Sequence, residues 1–171
     1  MEKLVHIALK QIRALHPCED ALRDVRRFFG ARKRVQVTVK AAVAVAQRFN
    51  FEWLAETTLR GDARRSFKAF TEGAFGAHYT AAITAWRAFA AVKASADTDY
   101  YQAPGGAAYS KSEGEDPDAV YHRAAAYAVQ KTRIGAAWNA YECAIAAADR
   151  ALKEDIAAAW ARAYINQEQS R

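Results

Sequence analysis

Residues 120–152, VYHRAAAYAVQKTRIGAAWNAYECAIAAADRAL, contain no proline and a single glycine, Gly135. Within them Val120, Ala124, Tyr127, Lys131, Ile134, Trp138, Tyr141, Ile145, Ala148 and Leu152 follow one another at steps of four and three. That is the spacing of one helix face, continued in heptad fashion and broken only by Lys131. Alanines such as Ala136, Ala140, Ala144, Ala147 and Ala151 occupy the other faces, so neighbouring helices can approach closely while aromatic rings fill the gaps. The pattern predicts a long C-terminal helix, or a helix pair, over about 118–165, opened by Asp116 as cap and Pro117 in the first turn. Unbroken, it would run about 74 Å at 1.5 Å per residue. A kink or break is therefore expected near Gly135 or between Asp149 and Asp155.

The rest of the chain has the same character. Alanine accounts for 42 of 171 residues, against eight glycines and three prolines. Alanine is the best helix former and a poor strand former, so the expected fold class is all-α: a compact alanine-rich bundle forming one domain over 1–171. Upstream of the seam, residues 97–117, DTDYYQAPGGAAYSKSEGEDP, read as the one long loop. Before it lies a helix over 77–96, with Tyr79, Ile83, Trp86 and Ala90 along a face, and Gly73 and Gly76 loosen the chain ahead of that helix.

Basic helices fill 1–72. The first, Glu2 to Leu15, turns Val5, Leu9 and Ile12 inward and stops at Pro17. The second carries Cys18, Leu22, Val25 and Phe29 on its apolar stripe and ends at Gly30. Val35, Val37 and Val39 alternate as in a strand, but a lone strand has nothing to pair with, so a helix is preferred there. Asn50 caps a short helix through Leu59, and Gly61–Asp62 start another that reaches about Glu72.

Charge is unevenly placed. Residues 1–68 hold 15 Lys/Arg against 7 Asp/Glu, whereas 69–171 hold 10 against 12. A one-sided basic field attracts nucleic acid or acidic protein surfaces. Arg23, Arg26 and Arg27 lie on one side of the second helix, and Arg32, Lys33 and Arg34 cluster in the connection after it. Such a patch suits phosphates and carboxylates equally, and it also fits a plain solvated face. Tyr100, Tyr101 and Tyr109 on the long loop are the second set of candidate contacts.

Signals of reaction chemistry are weak. Cys18 stands in a helix first turn near His16 and arginines, where a thiol can become reactive, yet it shares the apolar stripe and reads as core; Cys143 reads as core as well. His6, His16, His78 and His122 form no HxxxH or CxxC spacing, and His78 and His122 are expected on helix surfaces or in interhelical hydrogen bonds. PGGAAYSKS lacks the GK[ST] of a phosphate loop, and no GxSxG is present. Neighbouring carboxylates such as Glu154–Asp155 point about 100° apart on a helix and make no acid/base pair. The expectation is no enzyme, no metal and no cofactor. No run reaches the roughly 18 apolar residues of a membrane helix, and the N-terminus has no signal-peptide core, which points to the cytoplasm.

The stretches LHPCEDALRDVRRF (15–28), FEWLAETTL (51–59) and AAAYAVQKTRIGAAWNAYECAIAAADRAL (124–152) resemble small alanine-rich helical proteins of phages, prophages and bacterial mobile elements, some of the immunity-protein type. The resemblance implies a non-enzymatic inhibitor of a bacterial defence complex, anti-CRISPR-like, or an immunity-type protein, acting on a bacterial protein or nucleoprotein in the host cytoplasm. The basic balance departs from the acidic character usual in toxin-neutralising proteins. A nucleic-acid-binding accessory protein using the same arginines is the alternative, and a homodimer is compatible with either.

Overall fold

A computed structural model describes residues 4–15, 17, 19–103 and 117–171, without the side chains of Ala21, Arg27, Phe28, Pro117 and Ala119. The chain is all-α with one small two-stranded ribbon. In chain order the elements are β1 (His6–Ala8), α1 (Leu9–Arg13), α2 (Glu19–Phe29), β2 (Arg34–Gln36), α3 (Val39–Val43), a 3-10 turn (Ala46–Arg48), α4 (Phe51–Thr58), α5 (Gly61–Gln102) and α6 (Pro117–Gln169). Contacts divide the chain into two units, residues 1–78 with 149–171, and residues 79–148.

The first unit holds almost all of the core. Val25 and Phe29 of α2 are fully buried, together with Ile7, Ile12, Leu54, Leu59 and Trp160. Trp160 shows how α6 joins it: its ring stacks on Tyr164 at 5.3 Å and tilts against Phe51 at 5.2 Å, and its Nε1–H donates to Thr58 Oγ1 at 3.0 Å. Gln167 then secures the turn between α4 and α5, accepting from the Arg60 N–H at 2.8 Å and donating to the Thr58 carbonyl at 3.1 Å. Local signals act as read: Gly30 (φ +56°) closes α2 and its N–H donates to the Arg26 carbonyl, while Asn50 accepts from the Trp53 N–H to open α4.

The N-terminus departs from the expected helix. β1 and β2 pair antiparallel, with His6 opposite Gln36, Ile7 opposite Val35 and Ala8 opposite Arg34. Bonds from the Val37 N–H to the Val5 carbonyl (2.9 Å) and from the Leu9 N–H to the Lys33 carbonyl (3.0 Å) prolong the ladder at both ends. Of the alternating valines, Val35 thus lies in a strand that the Val37 bond prolongs, while Val39 opens the helix α3. Its partner lies in the segment read as helix, where Val5 and Ile7 alternate with period two before Leu9 and Ile12 resume a helical period.

Each of the two long helices is continuous where a break was expected. α5 runs unbroken through Gly73 and Gly76, joining the expected 61–72 and 77–96 segments and absorbing the start of the loop as far as Gln102. α6 keeps going through Gly135 and through Asp149–Asp155 as one helix of 53 residues. Two alanine-rich helices that pack along their length hold such spans where isolated helices would not. Residues 104–116 of the expected loop lie outside the described residues.

The second unit consists of the facing halves of α5 and α6. Trp86 meets Tyr141, Phe89 meets Trp138 and Tyr100 meets Tyr127, and the Gln130 amide donates to Asp97 at 2.8 Å. As one number of each pair rises the other falls, so the two helices run antiparallel. Half-buried positions on α6 are Arg123, Ala126, Gln130, Arg133, Ile134, Ala137, Tyr141, Ile145 and Ala148. The sequence seam matches this stripe from Tyr141 onward and at Ile134, but Val120, Ala124, Tyr127, Lys131 and Trp138 are exposed. On α5 the expected face holds in part: Ile83 and Ala90 are half-buried, but Tyr79 and Trp86 are exposed, and His78, Ala82, Ala85 and Phe89 turn inward beside them. Cys143, expected in the core, is exposed too.

Candidate interaction surfaces

The first surface is basic and is built around the turn from α2 to β2. The left-handed Gly30 reverses the chain, the Arg32 N–H donates to the Phe29 carbonyl at 3.0 Å, and Lys33 and Arg34 enter the ribbon. Arg26, Arg32, Lys33 and Arg34 are all exposed. Two of the predicted arginines have local tasks. Arg23 pairs with Asp20 at 3.0 Å, and the Arg32 Nε–H donates to the Phe29 carbonyl at 3.2 Å, closing the end of α2. The side chain of Arg27 lies outside the described residues. Acidic Glu19, Asp20 and Asp24 share α2 with its arginines, so the excess charge sits in Arg32–Arg34.

Tyr100 and Tyr101 belong to the last turn of α5, not to a loop. Tyr100 is half-buried against Tyr127 at 6.1 Å, with Tyr101 at 5.4 Å; Tyr101 is exposed. Tyr109 and Cys18 lie outside the described residues. The structure therefore brings Arg26 and Arg32–Arg34 into one neighbourhood of the first unit, and Tyr100 and Tyr101 into the second.

The second surface was not singled out from sequence. Trp86, Phe89, Trp138 and Tyr141 form a cluster with ring centres 5.3–6.1 Å apart, in which Phe89 is buried while Trp86 and Trp138 remain about half in water. Its signal was partly present: Trp86, Trp138 and Tyr141 sit on the expected stripes, which were read as core, while Phe89 lies beside them.

Elsewhere, His78 Nε2 lies 2.7 Å from Asp149 Oδ1 in the first unit, one of the expected interhelical hydrogen bonds. An open groove of about 550 Å³ in the same unit is lined by Asp24, Arg48, Glu52 and Lys153 among others, charges of both signs. Among the described residues no three of His, Cys, Asp and Glu gather as a metal ion would require. Among them, too, no helix is long and apolar enough to cross a membrane. No family model, curated protein or solved structure matches the chain.

Proposed function

We propose that the chain is a non-enzymatic binding factor that docks an acidic surface of a partner protein on its basic turn, and that it belongs to the anti-defence or immunity type its sequence resembles. On this reading it is a stoichiometric inhibitor of a bacterial defence complex, acting in the cytoplasm. One observation carries the proposal: Arg32, Lys33 and Arg34 are consecutive, exposed, and mounted on backbone already fixed by the α2 end and the strand ladder. A pre-ordered backbone spares the entropy of ordering the chain on binding and leaves only the side chains to be fixed. Arginine forks also suit carboxylates held in a fixed geometry.

A protein is preferred to nucleic acid because Glu19, Asp20 and Asp24 dilute the field along α2, where a phosphate-tracking surface would be basic throughout. Replacing Arg26, Arg32, Lys33 and Arg34 together by Glu is the direct test. The variant is expected to keep its helical circular dichroism and to lose the partner captured from bacterial lysate by the parent protein. Unchanged capture would reduce the turn to a solubilising surface. Titration with duplex DNA separates the alternative: tight binding that collapses as salt rises, whatever the DNA sequence, would favour the nucleic-acid reading instead.

A further inference from the structure

The second unit spans 70 residues, yet among its described residues only Phe89 and Ala96 are buried. Two facing helices can cover one narrow stripe of each other and no more. The position one step C-terminal to each inward-turned residue is rotated by 100°, and in antiparallel helices the two rotations emerge on the same side of the pair. Exposed Tyr79 and Trp86, with half-buried Ile83, follow the half-buried His78, Ala85 and Ala82 on α5; exposed Tyr127 and Trp138 follow the half-buried Ala126 and Ala137 on α6. These side chains therefore share one open face, which is consistent with Trp86 and Trp138 both meeting the Phe89–Tyr141 pair.

We infer that this face is the interface of a homodimer, in which two copies lay their α5–α6 pairs together as a four-helix arrangement. Area comes first. Tyr79, Trp86, Tyr127 and Trp138 are 67 %, 51 %, 48 % and 42 % exposed. At about 200 Å² for a whole aromatic side chain, they present roughly 400 Å² of apolar surface. A standard interface takes about 800 Å² from each partner, about 65 % of it apolar in homodimers. The four rings thus supply roughly three-quarters of the apolar share before Ile83, Ile134 and the alanines between them are counted.

Charge then selects a second copy. Lys131, held over the Tyr127 ring at 5.6 Å, and Glu142 stand eleven residues apart on the same side of α6. In a two-fold interface residue i meets j and j meets i. With the axis near Ala137, antiparallel α6 helices put Lys131 of each copy beside Glu142 of the other. The same axis puts each Trp138 over the opposite Gly135, where an added Cβ would meet nothing within 4 Å. The face is complementary to itself in charge and in shape.

Sedimentation velocity of the full chain at micromolar to about 100 µM concentration tests the inference. The mass is expected to rise with concentration towards twice 18.9 kDa. K131E alone and E142K alone should each weaken self-association at least tenfold through like-charge contacts, and an equimolar mixture of the two should restore it. W138A should weaken it at least tenfold while circular dichroism reports retained helix. A monomer throughout the range would overturn the inference, as would a dimer indifferent to the charge reversals. The basic turn plays no part in this experiment, so its outcome is independent of the proposed function.

Discussion

Trp160 is the residue on which the first unit turns, 2 % exposed and touched by Phe51, Tyr164 and the Thr58 hydroxyl. An indole that buries its ring and also finds an acceptor for its N–H satisfies both halves of its chemistry, and this anchors α6 on α4. Beside it, burial pushes the Tyr164 phenol above its ordinary value of 10.0, and the charge of Glu168 pushes the same way. The consequence for stability has a definite sign. Below pH 10 the phenol is neutral in the folded and unfolded chains alike, and its contribution is intact. As the pH climbs past 10 the unfolded chain releases this proton first, so stability falls until the folded phenol also ionises. Y164F, which has no proton to lose, should therefore show a shallower alkaline decline in urea midpoint than the parent above pH 10. Parallel declines would mean that Tyr164 ionises as freely in the fold as outside it.

At the scale of the element, Gly73 and Gly76 lie inside α5, exposed, with nothing within 4 Å of where a Cβ would stand. Neither has positive φ, so alanine can take each place without strain, and it removes the entropy that glycine loses on entering a helix. G73A and G76A should each raise stability by about 0.5–1 kcal/mol, read as a higher melting temperature; destabilisation would mean that the helix uses those glycines to bend. Helix identity was legible over most of the chain because alanine, capping residues and apolar spacing agree there, the exceptions being His6–Ala8, which is strand, and 97–102, which is helix. Helix orientation was less so, and the reason is arithmetic. A seam stepping by four and three repeats every 3.5 residues, whereas a straight α-helix turns every 3.6, a drift of about 20° per heptad. Between Leu152 and Val120 that amounts to about 90°, nearly the 100° of one residue. The seam accordingly fits from Leu152 to Tyr141 and again at Ile134, and has rolled into solvent by Tyr127, Ala124 and Val120. The β1–β2 ribbon was hidden for a different reason: Ile7 and Val35 are 28 residues apart, and neither three-residue strand declares its partner. The basic residues at the α2–β2 turn could be read locally, but the aromatic face needed the pairing of two distant helices before it became visible.

Across the whole molecule, core and charge are distributed together. Residues 1–78 with 149–171 hold 19 Lys/Arg against 12 Asp/Glu, and residues 79–148 hold 6 against 7. The first unit thus carries the basic excess as well as nearly all of the buried apolar side chains, from Val25 and Phe29 to Trp160. The second carries the open aromatics and little core of its own. Stability that depends on burial must then be uneven along a single continuous helix. Native-state hydrogen exchange can follow it through α6. Backbone amides around Ile156–Tyr164 should exchange only by near-global opening, whereas those of residues 120–145 should exchange by local opening and much faster in dilute solution. Fast exchange there is expected because surface ion pairs such as Arg133–Asp99 add little to stability. Raising the protein concentration should slow exchange in 120–145 and leave 156–164 unchanged, since association shields only the face that takes part in it. Uniform protection from Val120 to Tyr164 at low concentration would contradict this account, for it would require the helix pair to be held by more than Phe89, Ala96 and half-covered rings.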